Sequence, residues 1–426
     1  MRPPTDLELA SDDPSKVRLA LLVSHEHPLY RLAEAIDWTR FEAELGPLYA
    51  EATGRPGLPT RLMVGLHYLK YLFDESDESV VEKWVENPYW QFFCGRTYFE
   101  HTLPCHPTSL VKWRRRLGAA GVEKLLTETL STAKREQALR ESEIKRVHVD
   151  TTVQEKAIAF PTDARLYHKA RRALVRQARA AGINLRQSYV RLGQQALARQ
   201  GRYAHARHWK RARRETRRLR LFLGRVIRDI RRKCPQPAPA LRSLLERSER
   251  ILRQQRHDSP KLYSVHAPEV EGIAKGKAHK PYEFGCKVAV VTTSKSNWVV
   301  GVEAMHENPY DGATLAPALA QVERVTEVRP QAAFVARGFK GAAHHPAGVA
   351  VYVTGRKRLQ RTLKALLRRR AAIEPIIGHL KGEHKLERNH LLGQEGDRIN
   401  ALLTGCGFNL RKLWRFFKES VRLQPA

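Results

Sequence analysis

Two acidic residues of this sequence stand in surroundings that suit metal-assisted chemistry on phosphates. Asp150 follows a run of alternating apolar and polar residues, which is the pattern of a half-buried strand. Glu374 lies four residues after Arg370 and seven before Lys381, so all three side chains share one face of a helix. Carboxylate oxygens are the ligands that Mg²⁺ prefers, and arginine and lysine bind phosphate. Taken alone, a glutamate on a basic helix is more often just an i,i+4 partner. Together with Asp150 and the order of the strands, we expect Asp150 and Glu374 to bind Mg²⁺, for which Mn²⁺ can substitute, and Arg370 and Lys381 to contact a phosphate backbone.

The elements that would bring these carboxylates together follow one another in a defined order. A strand with Asp150 comes first, then a long helical insertion, two strands, a helix, two more strands and a helix that carries Glu374. The strands are predicted at residues 144–152, 282–292, 298–304, 333–336 and 349–353. This order predicts a ribonuclease H-like α/β fold. In such a fold, carboxylates from the first strand, the fourth strand and the later helix converge on two Mg²⁺ ions about 4 Å apart.

A strong positive charge dominates the composition. The chain has 426 residues, with 76 Lys and Arg against 44 Asp and Glu, and a formal net charge of +32. Residues 165–233 contain 23 Lys and Arg but only two acids, Glu215 and Asp229, and no proline, so long basic helices are predicted there. This charge predicts a nucleic acid partner whose binding weakens steeply as salt rises. A solvated basic helix without a ligand remains the alternative.

The length of the chain predicts more than one domain. We expect a flexible N-terminus at 1–20, an all-helical domain for DNA binding and dimerisation at 21–140, a ribonuclease H-like catalytic domain at 141–164 and 262–426, and an Arg-rich helical insertion at 165–261. No apolar run is long enough to span a membrane, and the N-terminus lacks a signal core. A cytoplasmic protein without a membrane partner is therefore expected.

Two basic segments are candidates for direct contact with DNA. In the helix predicted after Pro107, the side chains of Lys112, Arg114 and Arg115 could reach phosphates or guanine edges. The alternative is that Trp113 is a core residue flanked by solvated cations, and composition does not separate the two. Within the basic insertion, the candidates are Arg213, Arg214, Arg217 and Arg218.

Several motifs, spread over nearly the whole chain, share their residues with one family of proteins. They are Arg61–Leu66, Glu86–Gln91, Ser109–Arg114, His148–Thr152, Asn308–Gly312 and the spaced set Arg370, Glu374 and Lys381. In that family the last acid lies in a Tyr-x2-Arg-x3-Glu-x6-Lys pattern, and here Leu367 replaces the tyrosine. On these motifs the chain resembles bacterial insertion-sequence transposases of the DDE superfamily, in the large family typified by insertion sequence five.

The resemblance implies a DNA transposase that binds the terminal inverted repeats of its element and the target DNA. It implies strand cleavage and strand transfer catalysed by acids at positions 150, 336 and 374, with two Mg²⁺ ions. It also implies DNA contacts by Arg337, Arg370 and Lys381. Because two element ends must be brought together, a homodimer on the bacterial nucleoid is the expected working form.

Position 336 departs from the family pattern. Relatives carry Asp-Arg-Gly-Tyr or a similar run where this chain has Ala336, Arg337, Gly338 and Phe339, and the intact flanks argue against misalignment. Asp311 is the nearest other carboxylate, but it belongs to a turn that the relatives keep beside their own middle acid. With Ala336 in the place of a metal ligand, the chain is expected to bind DNA but to have lost cleavage.

Three explanations for Ala336 stay open. They are an engineered Asp→Ala replacement, which we favour, natural decay of a mobile element, and recruitment as a DNA-binding protein. Two other functions are therefore weighed against an inactive transposase. Ala336 motivates a repressor or domesticated relative without catalysis, and the charge alone permits an RNA-binding protein or nuclease on the same fold.

Overall fold

The computed structural model describes residues 17–49, 56–255, 257–274, 280–355 and 360–422. Of the segment predicted to be a flexible N-terminus, residues 1–16 lie outside the described part. Leu19 is fully buried, and its N–H donates to the carbonyl of Thr97 (2.8 Å). The described chain is therefore anchored from its first helix onward.

The chain divides into two units. The first comprises residues 1–154 and 287–426, and the second comprises residues 155–286. The predicted insertion, 165–261, lies inside the second unit. The predicted N-terminal domain belongs to the first unit, together with the strand positions that carry Asp150 and Ala336 and the helix of Glu374.

Helices precede the sheet in the first unit. They are α1 (Leu19–Leu22), α2 (Pro28–Ala35), α3 (Trp38–Leu45), α4 (Thr60–Leu72), α5 (Asp77–Glu86), α6 (Pro88–Phe93), α7 (Pro107–Arg135) and α8 (Glu141–Ile144). Polar side chains cap several N-termini: Ser76 accepts from the N–H of Ser79, and Asn87 from that of Trp90. Gly118, with a φ of +63°, divides α7 into two helical halves.

The strands form a mixed sheet. They are β1 (Arg146–Lys156), β2 (Glu271–Ala274), β3 (Tyr282–Thr293), β4 (Val299–Met305), β5 (Ala332–Val335), β6 (Ala350–Val353) and β7 (Arg388–Asn389). Their order is β2-β3-β1-β5-β6, with β4 also paired to β3 and β7 to β1. β5 is parallel to both β1 and β6, whereas β3 is antiparallel to β2 and β4. Because β1 and β5 are parallel neighbours, the residues that follow their paired segments lie side by side.

The second unit contains a group of helices with its own core. They are α9 (Asp163–Ala180), α10 (Val190–His205), α11 (Trp209–Lys233) and α12 (Pro239–Arg253). Apolar side chains such as Leu174, Leu223 and Leu245 are fully buried in this core. Helices thus occupy most of residues 165–233, as the composition predicts, and most of the arginines there are exposed, although Arg171 is buried.

The later helices of the first unit complete its core. They are α13 (Leu315–Thr326), α14 (Arg361–Arg369), α15 (Ile373–Glu383) and α16 (Gly393–Arg422). One continuous core includes Leu126 of α7, Val149 of β1, Leu319 of α13 and Leu403 of α16. Within the part of the chain that the structure describes, no helix combines the length and the apolar character needed to cross a membrane.

The long basic helix predicted to carry Glu374 is interrupted. A 3₁₀ turn, Arg370–Ala372, separates α14 from α15. Pro375 accounts for the break, because proline has no N–H to donate to the carbonyl of Ala371 and its ring crowds that carbonyl. The interruption brings Arg370 to the junction of the two helices, beside the sheet.

Candidate active site

Asp150 lies on β1, one residue beyond the segment that pairs with β5. Its side chain is 20% exposed, and its Oδ1 accepts a hydrogen bond from the N–H of Thr151 (2.9 Å). Burial raises the pKa of Asp150, while the Thr151 N–H and the Arg370 guanidinium act in the opposite direction. The negative charge of this carboxylate therefore depends on the two donors that face it.

Arg370 joins the two predicted metal ligands. Its Nη1 donates to Asp150 Oδ2 (2.9 Å), and its Nη2 donates to Glu374 Oε1 (3.4 Å). The Arg370 side chain is only 12% exposed, whereas that of Glu374 is 67% exposed. The structure thus places Asp150 and Glu374 around one guanidinium. It directs Arg370, predicted from the sequence to contact phosphate, toward carboxylates instead.

Ala336 lies beside Asp150 across the parallel strands. Val149 of β1 is paired with Val335 of β5, and each of the two candidate positions is the next residue along its strand. Ala336 is half-buried and begins the short 3₁₀ turn Arg337–Phe339. A longer side chain at position 336 would therefore start next to the Asp150 carboxylate, where the family resemblance predicts the middle acid.

A third carboxylate, Asp311, lies close to Asp150 and Ala336. Its partner, Lys287, was not predicted from the sequence. Lys287 Nζ donates to Asp311 Oδ1 (2.9 Å), which also accepts from the hydroxyl of Thr151 (3.1 Å). A Cβ added at Gly338 would lie 2.8 Å from Asp311 Oδ2. Asp311 thus connects the residue after Asp150 with the turn after Ala336, and Lys287 compensates its charge. The turn at residues 308–312 was the available signal for Asp311; Lys287 lies within an apolar strand and gave none.

His148 packs beneath the site rather than in it. Its ring is fully buried against the edge of Phe334, with 5.9 Å between the ring centroids. Burial, together with the nearby charges of Arg369 and Arg370, lowers the pKa of His148 to about 4. The ring is therefore neutral at physiological pH and packs against the strand that carries Phe334.

The three cations predicted as a DNA-contacting group on α7 have different surroundings. Lys112 and Arg115 are exposed, and Trp113 is buried in the core. Arg114 is also buried, and its Nη1 and Nη2 donate to the two oxygens of Asp77 (2.8 and 2.6 Å). A DNA contact by Arg114 does not fit this position, because its guanidinium is already bound inside the protein.

The four arginines predicted as DNA contacts in the insertion lie on α11. Arg213, Arg214 and Arg217 are exposed. Arg218 is half-buried and donates to Glu215 Oε2 (3.1 Å). Three of the four therefore present their charge to solvent within the second unit, and one is partly neutralised.

The remaining predicted DNA contacts lie near the carboxylates in sequence. Arg337 is exposed in the turn after Ala336, and its guanidinium lies against Gly355. Lys381 is half-buried on α15. Within the described residues, no group of three or more His, Cys, Asp or Glu side chains is arranged to hold a metal ion. The oxygen donors of Asp150 and Glu374 suit Mg²⁺ in type, and position 336 is where a further carboxylate would be added.

Comparison with known proteins relates the chain to transposases. The family described as Transposase domain (DUF772) matches residues 17–116, which run from α1 to the first half of α7. The uncharacterized protein ORF8 in the nfe locus of Rhizobium meliloti is 52% identical over 192 residues, covering 45% of this chain and 92% of that protein. No solved structure matches the chain. The chain therefore belongs to one family with the Rhizobium meliloti protein and is a transposase-related protein.

Proposed function

We propose that this chain is a DNA transposase of the DDE type, in the insertion-sequence-five family, whose cleavage activity is lost because Ala336 replaces the middle acid. The observation that carries the proposal is the grouping of Asp150, Arg370 and Glu374, with Ala336 beside Asp150. A ribonuclease H-like fold would place its first-strand, fourth-strand and helical acids in this way. Binding of terminal inverted repeats and target DNA by a homodimer is part of the same proposal.

The donor set fits a divalent metal ion of the hard type. Asp150 and Glu374 offer carboxylate oxygens, and Mg²⁺ and Mn²⁺ both accept such ligands. When two ions are bound, they supply activation of the attacking oxygen and stabilisation of the leaving oxygen. Restoring aspartate at position 336 would complete the set of three acids that such a site uses.

The protein's own residues have separable parts in this proposal. Asp150 is oriented by the Thr151 N–H and offers a fixed oxygen, whereas the exposed Glu374 on α15 can move. Arg370 keeps the two carboxylates from repelling each other in the ligand-free protein. DNA affinity depends on phosphate contacts made elsewhere on the surface, so it should survive the loss of the middle acid.

Restoring the middle acid tests the proposal. An Ala336→Asp variant, incubated with a duplex that carries the ends of its element and with Mg²⁺ or Mn²⁺, should nick the DNA and leave a 3′-hydroxyl. The Ala336→Asn variant is the matched control, because it has almost the same size but no charge. The chain with Ala336 and the Asn variant should bind the duplex without cutting it. An Asp variant that binds element ends but never nicks them with either metal would contradict the catalytic proposal.

A second candidate function is DNA binding without catalysis, as in a repressor or domesticated relative. Ala336 itself favours it, since the position next to Asp150 lacks a ligand. The aspartate variant separates the two functions, because a protein adapted only for binding should stay inactive after one substitution. An aspartate codon at this position in the source gene would exclude it.

A further inference from the structure

A second basic site lies at the start of β1, away from the candidate active site. It is a cleft of about 580 Å³ within the first unit. We call it the basic cleft, and its lining includes Arg140, Lys145, Arg146, Lys295, Arg369 and Ser294. Among the described residues that line it, Glu143 is the one acid, so five cations face one anion. The cleft therefore favours an anionic ligand.

The cations of the basic cleft are available for a ligand. Arg140, Lys145, Arg146 and Lys295 are all exposed. None of these four side chains forms an ion pair with another residue in the described part of the chain. Like charges gathered without a partner repel one another, and a phosphate backbone would relieve that repulsion.

The walls of the basic cleft are held in place by backbone hydrogen bonds. The N–H of Ser294 donates to the carbonyl of Arg146 (2.9 Å), and the N–H of Gln331 donates to the carbonyl of Lys145 (2.8 Å). Arg369 donates to the carbonyls of both Ser294 and Lys295. The turn between β3 and β4 is therefore fixed against β1 before any ligand arrives, which lowers the entropic cost of binding.

A buried hydroxyl in the wall lacks a partner. Ser294 is 3% exposed, and its Oγ has no hydrogen-bond partner among the described residues. Buried polar groups are nearly always hydrogen-bonded, so this hydroxyl is an unused donor beside the cations. Ser294 lines the cleft, so a small shift of its side chain would offer this donor to a phosphate oxygen.

We propose that the basic cleft binds backbone phosphates of duplex DNA, as a site separate from the carboxylates. This inference rests on the proposed DNA partner. Arg146 and Asp150 are four residues apart on β1, which corresponds to about 13 Å along the strand. Arg369 contacts the cleft while its neighbour Arg370 contacts Asp150. One duplex can therefore follow β1 from the carboxylates to the cleft, and the cleft holds the DNA on that side of the cut.

Salt-dependent binding of a labelled duplex by the full chain tests this site. The Arg146→Gln, Lys295→Gln double variant should bind more weakly than the parent. The slope of log affinity against log salt should fall in magnitude by about two, since each phosphate contact contributes about one. The matched control is Arg415→Gln, Lys418→Gln, which removes the same charge from an exposed part of α16 outside the cleft. Its slope should stay at the parental value.

A third variant changes the cleft in the opposite direction. Glu143→Gln removes its one acid and should tighten DNA binding several-fold without changing the number of phosphate contacts. Circular dichroism melting should show all variants folded, because the substituted cations have no side-chain partners to lose in the part of the chain that the structure describes. Equal slopes for the cleft variant and the control, with parental binding intact, would overturn the cleft alone.

Other outcomes address the ligand and its source. Failure of the parent chain to bind duplex DNA would overturn the proposed function together with the cleft. Stronger competition by structured RNA than by duplex DNA would overturn DNA as the partner of this site. If inorganic phosphate at low millimolar concentration binds the parent but not the cleft variant, and leaves the affinity of the parent for the duplex unchanged, the cleft is a site for free phosphate and the DNA proposal fails.

Discussion

At the scale of single residues, Arg370 sets the electrostatics of the candidate active site. Its guanidinium lies between Asp150, which is largely buried, and Glu374, which is largely exposed. An ion pair with a buried partner contributes more than one with an exposed partner, because solvent screens the exposed charge. The Arg370–Asp150 contact should therefore contribute most of the stabilisation, and the Arg370–Glu374 contact little.

An Arg370→Ala variant should be less stable by about 2 kcal/mol, since it leaves the Asp150 carboxylate buried with one fewer donor. Urea unfolding followed by tryptophan fluorescence measures this, because six of the seven tryptophans lie in the first unit. The Glu374→Gln control should change the free energy of unfolding by less than about 0.5 kcal/mol. In the Arg370→Ala, Asp150→Asn double variant, the two effects should fall short of additivity by about 1 kcal/mol. Strict additivity would show that the contact stabilises nothing.

Sequence patterns indicated which residues belong to the candidate site, but they did not indicate which of these residues contact one another. Asp150 and Glu374 stand in recognisable motifs, and the structure places both in contact with Arg370, while their predicted role as metal ligands stays a prediction. Lys287 was missed because a lysine in an apolar strand has no local signature, and its partner Asp311 lies 24 residues later. Arg114 was predicted to contact DNA because it lies in a basic run, but it is buried in an ion pair with Asp77 of another helix. Long-range pairing of this kind is not encoded in spacing.

At the scale of elements, a buried charge cluster joins α4, α5 and α7. Asp77, the first residue of α5, accepts from Lys70 Nζ (2.7 Å) and from both terminal nitrogens of Arg114. Burial acts to raise the pKa of Asp77, but Arg114 and Lys70 outweigh it and hold the pKa well below its usual value. His67 receives Arg114 Nη1 at its Nε2 (3.2 Å), and its Nδ1 bonds the carbonyl of Met63 (2.7 Å). A carbonyl can only accept, so Nδ1 carries the proton. The guanidinium of Arg114 can only donate, so Nε2 carries no proton and the ring is neutral.

This cluster predicts that the free energy of unfolding begins to fall at a pH well above the pKa values of carboxylates. Burial, and then the charge of Arg114, lower the pKa of His67 from 6.5 to about 3. Between these values the unfolded chain binds a proton that the folded chain does not, so stability falls as the pH falls. The contribution is about 1.4 kcal/mol per pH unit. Asp77 adds a further loss below pH 3.8, since its pKa is lowered and its stabilisation disappears on protonation.

Urea unfolding between pH 7 and pH 4.5 measures this dependence. The His67→Gln variant cannot titrate there, so its free energy of unfolding should fall less steeply than that of the parent. Other buried histidines titrate in both proteins and cancel in the difference. Parallel curves for the two proteins would mean that His67 is not neutral in the folded state.

Strand positions were predictable because alternation and apolar runs are local signals. β1, β3, β4, β5 and β6 all fall where the sequence indicates them. The short strands β2 and β7, of four and two residues, carry too few side chains to form a pattern. Pro375 was a visible signal for the break at Arg370–Ala372, but helical periodicity on both sides concealed it.

At the scale of the whole molecule, the charge is distributed unevenly between the two units. Residues 165–233 carry 23 Lys and Arg against two acids, all within the second unit. The amphipathic pattern of α11 was predictable, since its apolar residues recur at helical spacing. The division between the units was not, because residues 21–140 share a continuous apolar core with the sheet, and only the folded structure reveals which surfaces are buried together.

If α11 is the main phosphate-binding surface of the second unit, its charge should count for more than equal charge elsewhere in that unit. Replacing Arg213, Arg214 and Arg217 by glutamine should lower the salt slope of duplex binding by about three, because all three are exposed. Replacing Arg242, Arg250 and Arg253 of α12, which are also exposed, should lower it by less than about one. α12 carries Glu246 and Glu249, which reduce the positive potential around it, whereas α11 has Glu215 alone in its first half. Equal slopes for the two triple variants would mean that DNA responds to the net charge of the protein, and that α11 forms no specific phosphate contacts.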